Sequence, residues 1–440
     1  MTQPMAILTR IVALIALLAS GLAQAQGGLT IDIVNGNPAA LPITAVPFAY
    51  AGSALPPDTD LAQVMSGDFN RCGQFRALKR EDIVEQPSKG SEIQFATWRQ
   101  LKQDFIVVGR IQDGDQGAYR VEFELHDVAK GTQLLTSAYN VRPGDLRSVG
   151  HQIADLVYEK ILGVPGAFWT RMAYVTMTGA APNLRYALMV ADSDGFNPQT
   201  VVSSKEPLLS PAWSPDSRKL AYVSFERGNS AIYVQEILTG SREVIASFKG
   251  INGAPAFSPD GSRLAMTLSM SGNPEIYVMD LASKKLTQLT KHFAIDTEAA
   301  WMPDGQSLVF TSDRAGKPQI YQVSASGGDP TRLTFGGEYN ARVSVAYDGK
   351  SFAMAQGNGN VYRIAVLDRS RGGGEVRVLS PGNLDESPSF APNGSMLLYA
   401  AREGAKGVLY AVSADARVRQ RLVLADGDVR EPAWSPLRRR

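Results

Sequence analysis

The chain holds few groups that could do chemistry, and their spacing points away from catalysis. The three histidines, His126, His151 and His292, stand alone. None has a Cys, His, Asp or Glu at metal-ligand spacing, so all three read as structural or solvent-exposed side chains. Cys72 is the sole cysteine and cannot form a disulfide within the chain, so it reads as a buried or idle thiol. There is no Gly-x-Ser-x-Gly elbow, no Gly-x-Gly-x-x-Gly following a strand and no phosphate loop. What does recur is acid: Glu206, Glu298, Asp385, Glu386 and Glu431, each just ahead of a repeated aromatic motif. Carboxylates placed this way would ring one mouth of a closed repeat. That ring reads either as a solvated rim or as a protein-docking surface.

The elements that would position those acids follow from the repeat. Its clearest copy is Pro211-Ala-Trp-Ser-Pro-Asp216 followed by Lys219-Leu-Ala-Tyr-Val-Ser224. The anchors Trp213, Phe257, Trp301, Val345, Phe390 and Trp434 are 44, 44, 44, 45 and 44 residues apart. A period near this length with a strand–turn–strand core marks propeller blades. Ser-Pro-Asp-Gly supplies Pro at the second and Gly at the fourth position of a type I turn. A third strand follows, as in Glu275-Ile-Tyr-Val-Met279, and then a polar outer strand such as Lys285-Leu-Thr-Gln-Leu289. The recurring Trp and Phe read as blade-to-blade packing. The first unit has no Trp-Ser-Pro of its own, and Glu431-Pro-Ala-Trp-Ser-Pro436 supplies the missing innermost strand. Six blades result, closed by the C-terminal strand, which leaves no open edge between first and last blade.

Upstream the period vanishes. Arg10, the apolar run Ile11–Leu18 and Ala23-Gln-Ala25 have the form of a secretory signal peptide spanning residues 1–25. That run is too short for a comfortable membrane span, and nothing later is longer. A net charge of +1 gives no nucleic-acid footprint. Residues 38–165 read as a small α/β domain. Strands are expected at Ile43–Ala49, Asp104–Gly109, Tyr119–Leu125 and Gln133–Tyr139. Helices are expected around Leu61–Phe69, over Glu92–Leu101, and through Ile153–Ile161 up to Gly163. The fold class is thus a small α/β N-terminal domain followed, over 166–440, by an all-β six-bladed propeller of WD40-like PD40 repeats.

Leader, α/β domain and repeat together resemble the TolB family of the Tol–Pal system. The resemblance rests on Ile43-Thr-Ala-Val-Pro-Phe48, Tyr158-Glu-Lys-Ile-Leu-Gly-Val-Pro-Gly-Ala-Phe168, Ser210-Pro-Ala-Trp-Ser-Pro-Asp216 and Asn252-Gly-Ala-Pro-Ala-Phe-Ser-Pro-Asp-Gly261. It implies a non-enzymatic periplasmic scaffold without cofactor or metal, monomeric alone, that serves envelope integrity and outer-membrane constriction at division. It implies docking of the lipoprotein Pal on the propeller mouth. The positions carried over from the family are Ala254, Thr297 and Glu298; the neighbouring inlet residues Glu206, Asn252, Tyr339, Asn340, Asp385, Glu386 and Glu431 complete the expected surface. It also implies that TolA contacts residues 26–37, here Leu29, Ile31, Asp32, Ile33 and Val34, and that outer-membrane proteins are further partners. One departure is Ile251, where some relatives carry a histidine.

Two other classes compete. A propeller enzyme of lactonase or glycosidase type would need a metal or two carboxylates at catalytic separation. A glycan-binding propeller would favour aromatic residues at the mouth, where the sequence offers Tyr339.

Overall fold

The computed structural model describes residues 28–53, 55–370 and 374–438. The expected leader, with Gln26 and Gly27, lies outside the described residues. The first strand, β1 (Thr30–Asn35), belongs to the propeller, and the α/β domain starts after it. That domain is a mixed sheet in which β2 (Leu41–Ala45) runs parallel to its neighbours β4 (Phe75–Ala77) and β5 (Phe105–Asp113), with β3 (Ala49–Tyr50) also on β5. Antiparallel β6 (Tyr119–Asp127) and β7 (Thr132–Val141) extend it.

Helix α1 (Leu61–Cys72) starts where the Asp60 carboxylate accepts from the Gln63 amide at 3.1 Å, and stops at Gly73, whose φ of 72° suits glycine. Its apolar face, Leu61, Met65 and Phe69, packs with Val149, Ile153 and Val157 of a second long helix, and both cover the sheet. Between them, α2 (Phe95–Gln100) is shorter than the helix expected over Glu92–Leu101. Buried Ile93 is held extended with ψ of 120°, which separates α2 from a 3-10 turn at Gly90–Glu92. The long helix, α3 (Leu146–Leu162), ends at Gly163 with φ of 75°.

The propeller has six blades of four antiparallel strands. Five are sequential in the chain, and the first-starting blade combines Arg171–Thr178, Arg185–Asp192 and Gln199–Ser204 with the C-terminal strand Asp428–Trp434 on the inside. The turns behave as their residues dictate. In Ser258-Pro-Asp-Gly261 the Gly261 amide donates to the Ser258 carbonyl at 2.8 Å, and glycine takes φ of 74°. The anchors bind blade to blade: the Trp213 indole donates to the Ala433 carbonyl at 3.0 Å and Trp301 to Ala256 at 3.1 Å. Middle strands such as Leu220–Val223 are buried on both faces.

β1 is the exception to the four-strand rule. It pairs antiparallel with Arg419–Val423, Ile31 opposite Leu422 and Asp32 opposite Arg421, and so adds a fifth, outermost strand to one blade.

Candidate docking site at the channel mouth

Every innermost strand carries a bulge at the same place, three residues before the anchor. The residues there are Ser210, Ala254, Glu298, Arg342, Ser387 and Glu431, and all six have φ between 46° and 55°. A bulge lifts one residue out of the ladder and re-aims it. A left-handed conformation at six non-glycine positions is strain that the closed ring must hold in place. The layer is therefore built by backbone geometry.

Its charged members join across the channel. Arg342 Nε stands 3.1 Å from Glu298 Oε1, and its Nη2 is 3.0 Å from Glu431 Oε2. Arg342 also donates to Ser387 Oγ, its amide donates to Glu298 Oε2 at 3.1 Å, and the Ser210 amide donates to Glu431 at 2.9 Å. Burial pushes the Glu298 carboxyl above its usual range, with Arg342 pulling it back. Burial lowers the Arg342 guanidinium, but Glu431 and Glu298 outweigh it and leave it raised. Five blades are thus cross-linked around one arginine.

Two positions further out, Asn252, Asp296, Asn340 and Asp385 are all buried and tie down the inlet loops. Asn252 Nδ2 donates to the Phe248 carbonyl at 2.8 Å, Asn340 Nδ2 to Gly336 at 2.8 Å, and Arg314 pairs with Asp296 at 2.7 Å. Burial raises the Asp385 carboxyl, which accepts from Ser380.

The expected acidic ring is therefore not one ring, because its members sit at three different depths. Glu206 and Glu386 are exposed at the rim, Asp385 is buried under a loop, and Glu298 and Glu431 lie inside strands against Arg342. Thr297 and Ala254 are half-buried beside them, with Thr297 Oγ1 3.2 Å from Thr267 Oγ1. Tyr339 packs edge-on against Tyr362, their ring centres 5.2 Å apart. Two of the histidines sit beside carboxylates. His126 Nε2 is 2.9 Å from Glu124, one strand residue removed on the same face, and His151 Nδ1 is 2.7 Å from Asp68 on another helix.

The rim is more apolar than the sequence reading allowed. Ile251, Ile295 and Leu384 occupy equivalent positions just outside the buried Asn/Asp layer and are about half exposed (51%, 46% and 48%). Phe293 and Phe335, on the inlet loops, are 88% and 77% exposed. So Tyr339 is not the sole aromatic at an inlet. Of these the sequence reading singled out Ile251 alone, as a departure from relatives; aligning the blades on their anchors puts the three aliphatic residues in one column.

The N-terminal segment lies elsewhere, on the outer edge of a blade. Leu29 is buried in the core that joins the first and last blades, and Ile31 is half-buried against it. Ile33 and Val34 are exposed, and Asp32 reaches Arg421 only at 4.0 Å, while Arg421 is held chiefly by Glu403 at 2.5 Å.

Comparison with known proteins agrees with this architecture. Residues 158–438 match the family model described as TolB beta propeller domain, and residues 29–134 match the TolB amino-terminal domain. A Tol-Pal system protein TolB from Xanthomonas campestris pv. campestris (strain B100) is 67% identical over 438 residues, covering 100% of this chain and 99% of that one. One from Xanthomonas oryzae pv. oryzae (strain KACC10331 / KXO85) is 69% identical over 419 residues, 95% of each. The crystal structure of TolB from Acinetobacter baumannii superposes with a TM-score of 0.85 at 43% identity, covering 93% of this chain and all of the other.

Proposed function

The chain belongs to the TolB family of the Tol–Pal system, and from that premise we propose that it is a non-catalytic periplasmic scaffold that docks Pal on the propeller mouth and TolA through its N-terminal strand. The observation that carries the first half is the mouth itself. An exposed apolar crescent, Ile251, Phe293, Ile295, Phe335 and Leu384, surrounds a cross-linked charged layer. Exposed apolar groups clustered on one rim and framed by polar residues are what a protein partner buries. The carboxylates in the channel serve structure: Glu298 and Glu431 share one guanidinium, which leaves neither free to act as acid or nucleophile.

The strand supports the second half. β1 is fixed by one backbone ladder and by little more than Leu29 and Ile31, so it can be released without unfolding a blade. Presented free, an extended segment of this kind binds by adding a strand to a partner sheet. Envelope integrity and constriction at division are the role this scaffold would serve.

Calorimetric titration of the protein with the soluble domain of Pal tests the mouth. Phe293→Ser removes exposed apolar surface without touching the core, and it should weaken binding about tenfold or more. Unchanged binding by Phe293→Ser and Phe335→Ser together would move the site off this face, and no binding by the native protein would remove Pal as partner.

A further inference from the structure

The joint between the α/β domain and the propeller is built around one buried histidine. His151 on α3 is 2% exposed. Its Nδ1 stands 2.7 Å from Oδ2 of Asp68 on α1, and its Nε2 stands 3.7 Å from Oδ2 of Asp194. Asp194 lies in the propeller turn between Arg185–Asp192 and Gln199–Ser204. Arg147 of α3 reaches the same Asp194 carboxylate and stacks on Phe196, 4.1 Å from its ring centre. Arg71 of α1 pairs with Asp68 and donates to the Ser193 carbonyl at 3.1 Å. Both helices therefore grip one propeller turn. The far side of that turn abuts the N-terminal segment: a Cβ on Gly195 would stand 2.9 Å from the Leu29 carbonyl oxygen.

We propose that His151 is a proton-operated clamp that ties the α/β domain to the propeller. A neutral imidazole has one N–H and one lone pair. Both nitrogens here face carboxylates, one from each domain, so the neutral ring must turn its lone pair toward one of them. The protonated ring donates to Asp68 and sets its charge 3.7 Å from Asp194, beyond hydrogen-bond distance, so that charge ties α1 and α3 to the propeller turn. The surroundings favour that state. The charged groups facing the joint are Asp68 and Arg71 from α1, Arg147 and Asp155 from α3, Asp192 and Asp194 from the turn, and Arg171 and Arg438, which act on Asp192. Asp68 and Asp194 are the carboxylates beside the ring, and a proton on His151 faces both.

Burial pulls the His151 pKa down, but Asp68 and Asp194 outweigh it and leave it above the usual histidine value. A folded-state value raised in this way gives stability that is complete below the unfolded value and lost as pH rises through the folded one. Asp155 works in the same direction: burial raises it to about 7, although the Phe168 and Trp169 amides donate to it. The clamp therefore holds below the ordinary histidine value and loosens as pH rises through the higher folded-state one.

The test is a pH titration of the protein carrying 13C-labelled histidine, followed by NMR, with hydrogen exchange measured at each pH. Of the three imidazoles, the one whose signal disappears in His151→Gln should titrate above about 6.5. Asp194→Asn should lower that midpoint by about one unit, and it also identifies the signal if His151→Gln does not fold. Protection of residues 193–196, corrected for the intrinsic rate, should fall as pH crosses the midpoint. A His151 midpoint at or below about 6.5 would overturn the clamp, as would a midpoint indifferent to Asp194→Asn or protection at 193–196 that does not change with pH.

Discussion

The first and last strands of the described residues both join a propeller blade, and the two placements have opposite consequences. Asp428–Trp434 becomes the innermost strand of a blade whose other three strands begin at Arg171. Its Val429 is fully buried, its Trp434 indole donates to Thr170 at 2.9 Å, and its Glu431 binds the central Arg342. Thr30–Asn35 becomes the outermost strand of the neighbouring blade, with one ladder, two apolar contacts and an exposed tip. The strand pairing is alike, but one is locked between neighbours and the other is open to solvent. Position in the blade, more than strand propensity, decides which end closes the fold and which can leave it.

The largest effect should come from breaking the closure. Deleting residues 429–440 removes the inner strand of a blade and leaves Trp213 without its carbonyl partner Ala433. The loss should be comparable to the whole stability of a domain, about 5–15 kcal/mol, so the propeller should lose its cooperative melting transition in calorimetry.

A smaller effect is expected at the channel layer. Arg342→Ala leaves Glu298 and Glu431 facing each other's charge without a counter-ion. In this partly solvated channel that should cost about 2 kcal/mol in denaturant melts. The sign with pH is fixed. Glu298 is already raised by burial and would rise further without Arg342, so the deficit should be full at neutral pH and shrink as pH falls toward 5. A deficit that grows on acidification would mean that Arg342 does not neutralise these acids.

The smallest global effect should come from the docked N-terminal strand. Leu29→Ala should weaken its docking by about 2 kcal/mol while leaving the main melting transition nearly unmoved. Ile33→Ser, at an exposed position, should change neither.

How much was legible in the sequence follows the same division. The propeller was readable because each blade repeats one solution to one packing problem, so Trp213, Phe257 and Trp301 announce the period themselves. The bulge layer was not. Its six positions hold Ser, Ala, Glu, Arg, Ser and Glu, and what they share is a backbone conformation that no residue type signals. Arg342 was further hidden because it sits in the most degenerate copy, before Val345-Ala-Tyr-Asp-Gly349. The acids Glu298 and Asp385 were noticed, but linear distance from the anchor did not reveal that one faces the channel and the other a loop. For Thr30–Asn35, several outer blade edges could have received the strand, and only the packing of Leu29 and Ile31 selects this one.

The most direct test is hydrogen exchange of the two terminal strands in one sample of the protein, alone and with Leu29→Ala. The account predicts that amides of Thr30–Asn35 exchange through local release, faster in the variant, while those of Asp428–Trp434 exchange only with global unfolding and at the same rate in both proteins. Equal protection of the two strands, moving together with overall stability, would contradict it, because the N-terminal strand would then be part of the fold's closure and not a segment free to meet a partner.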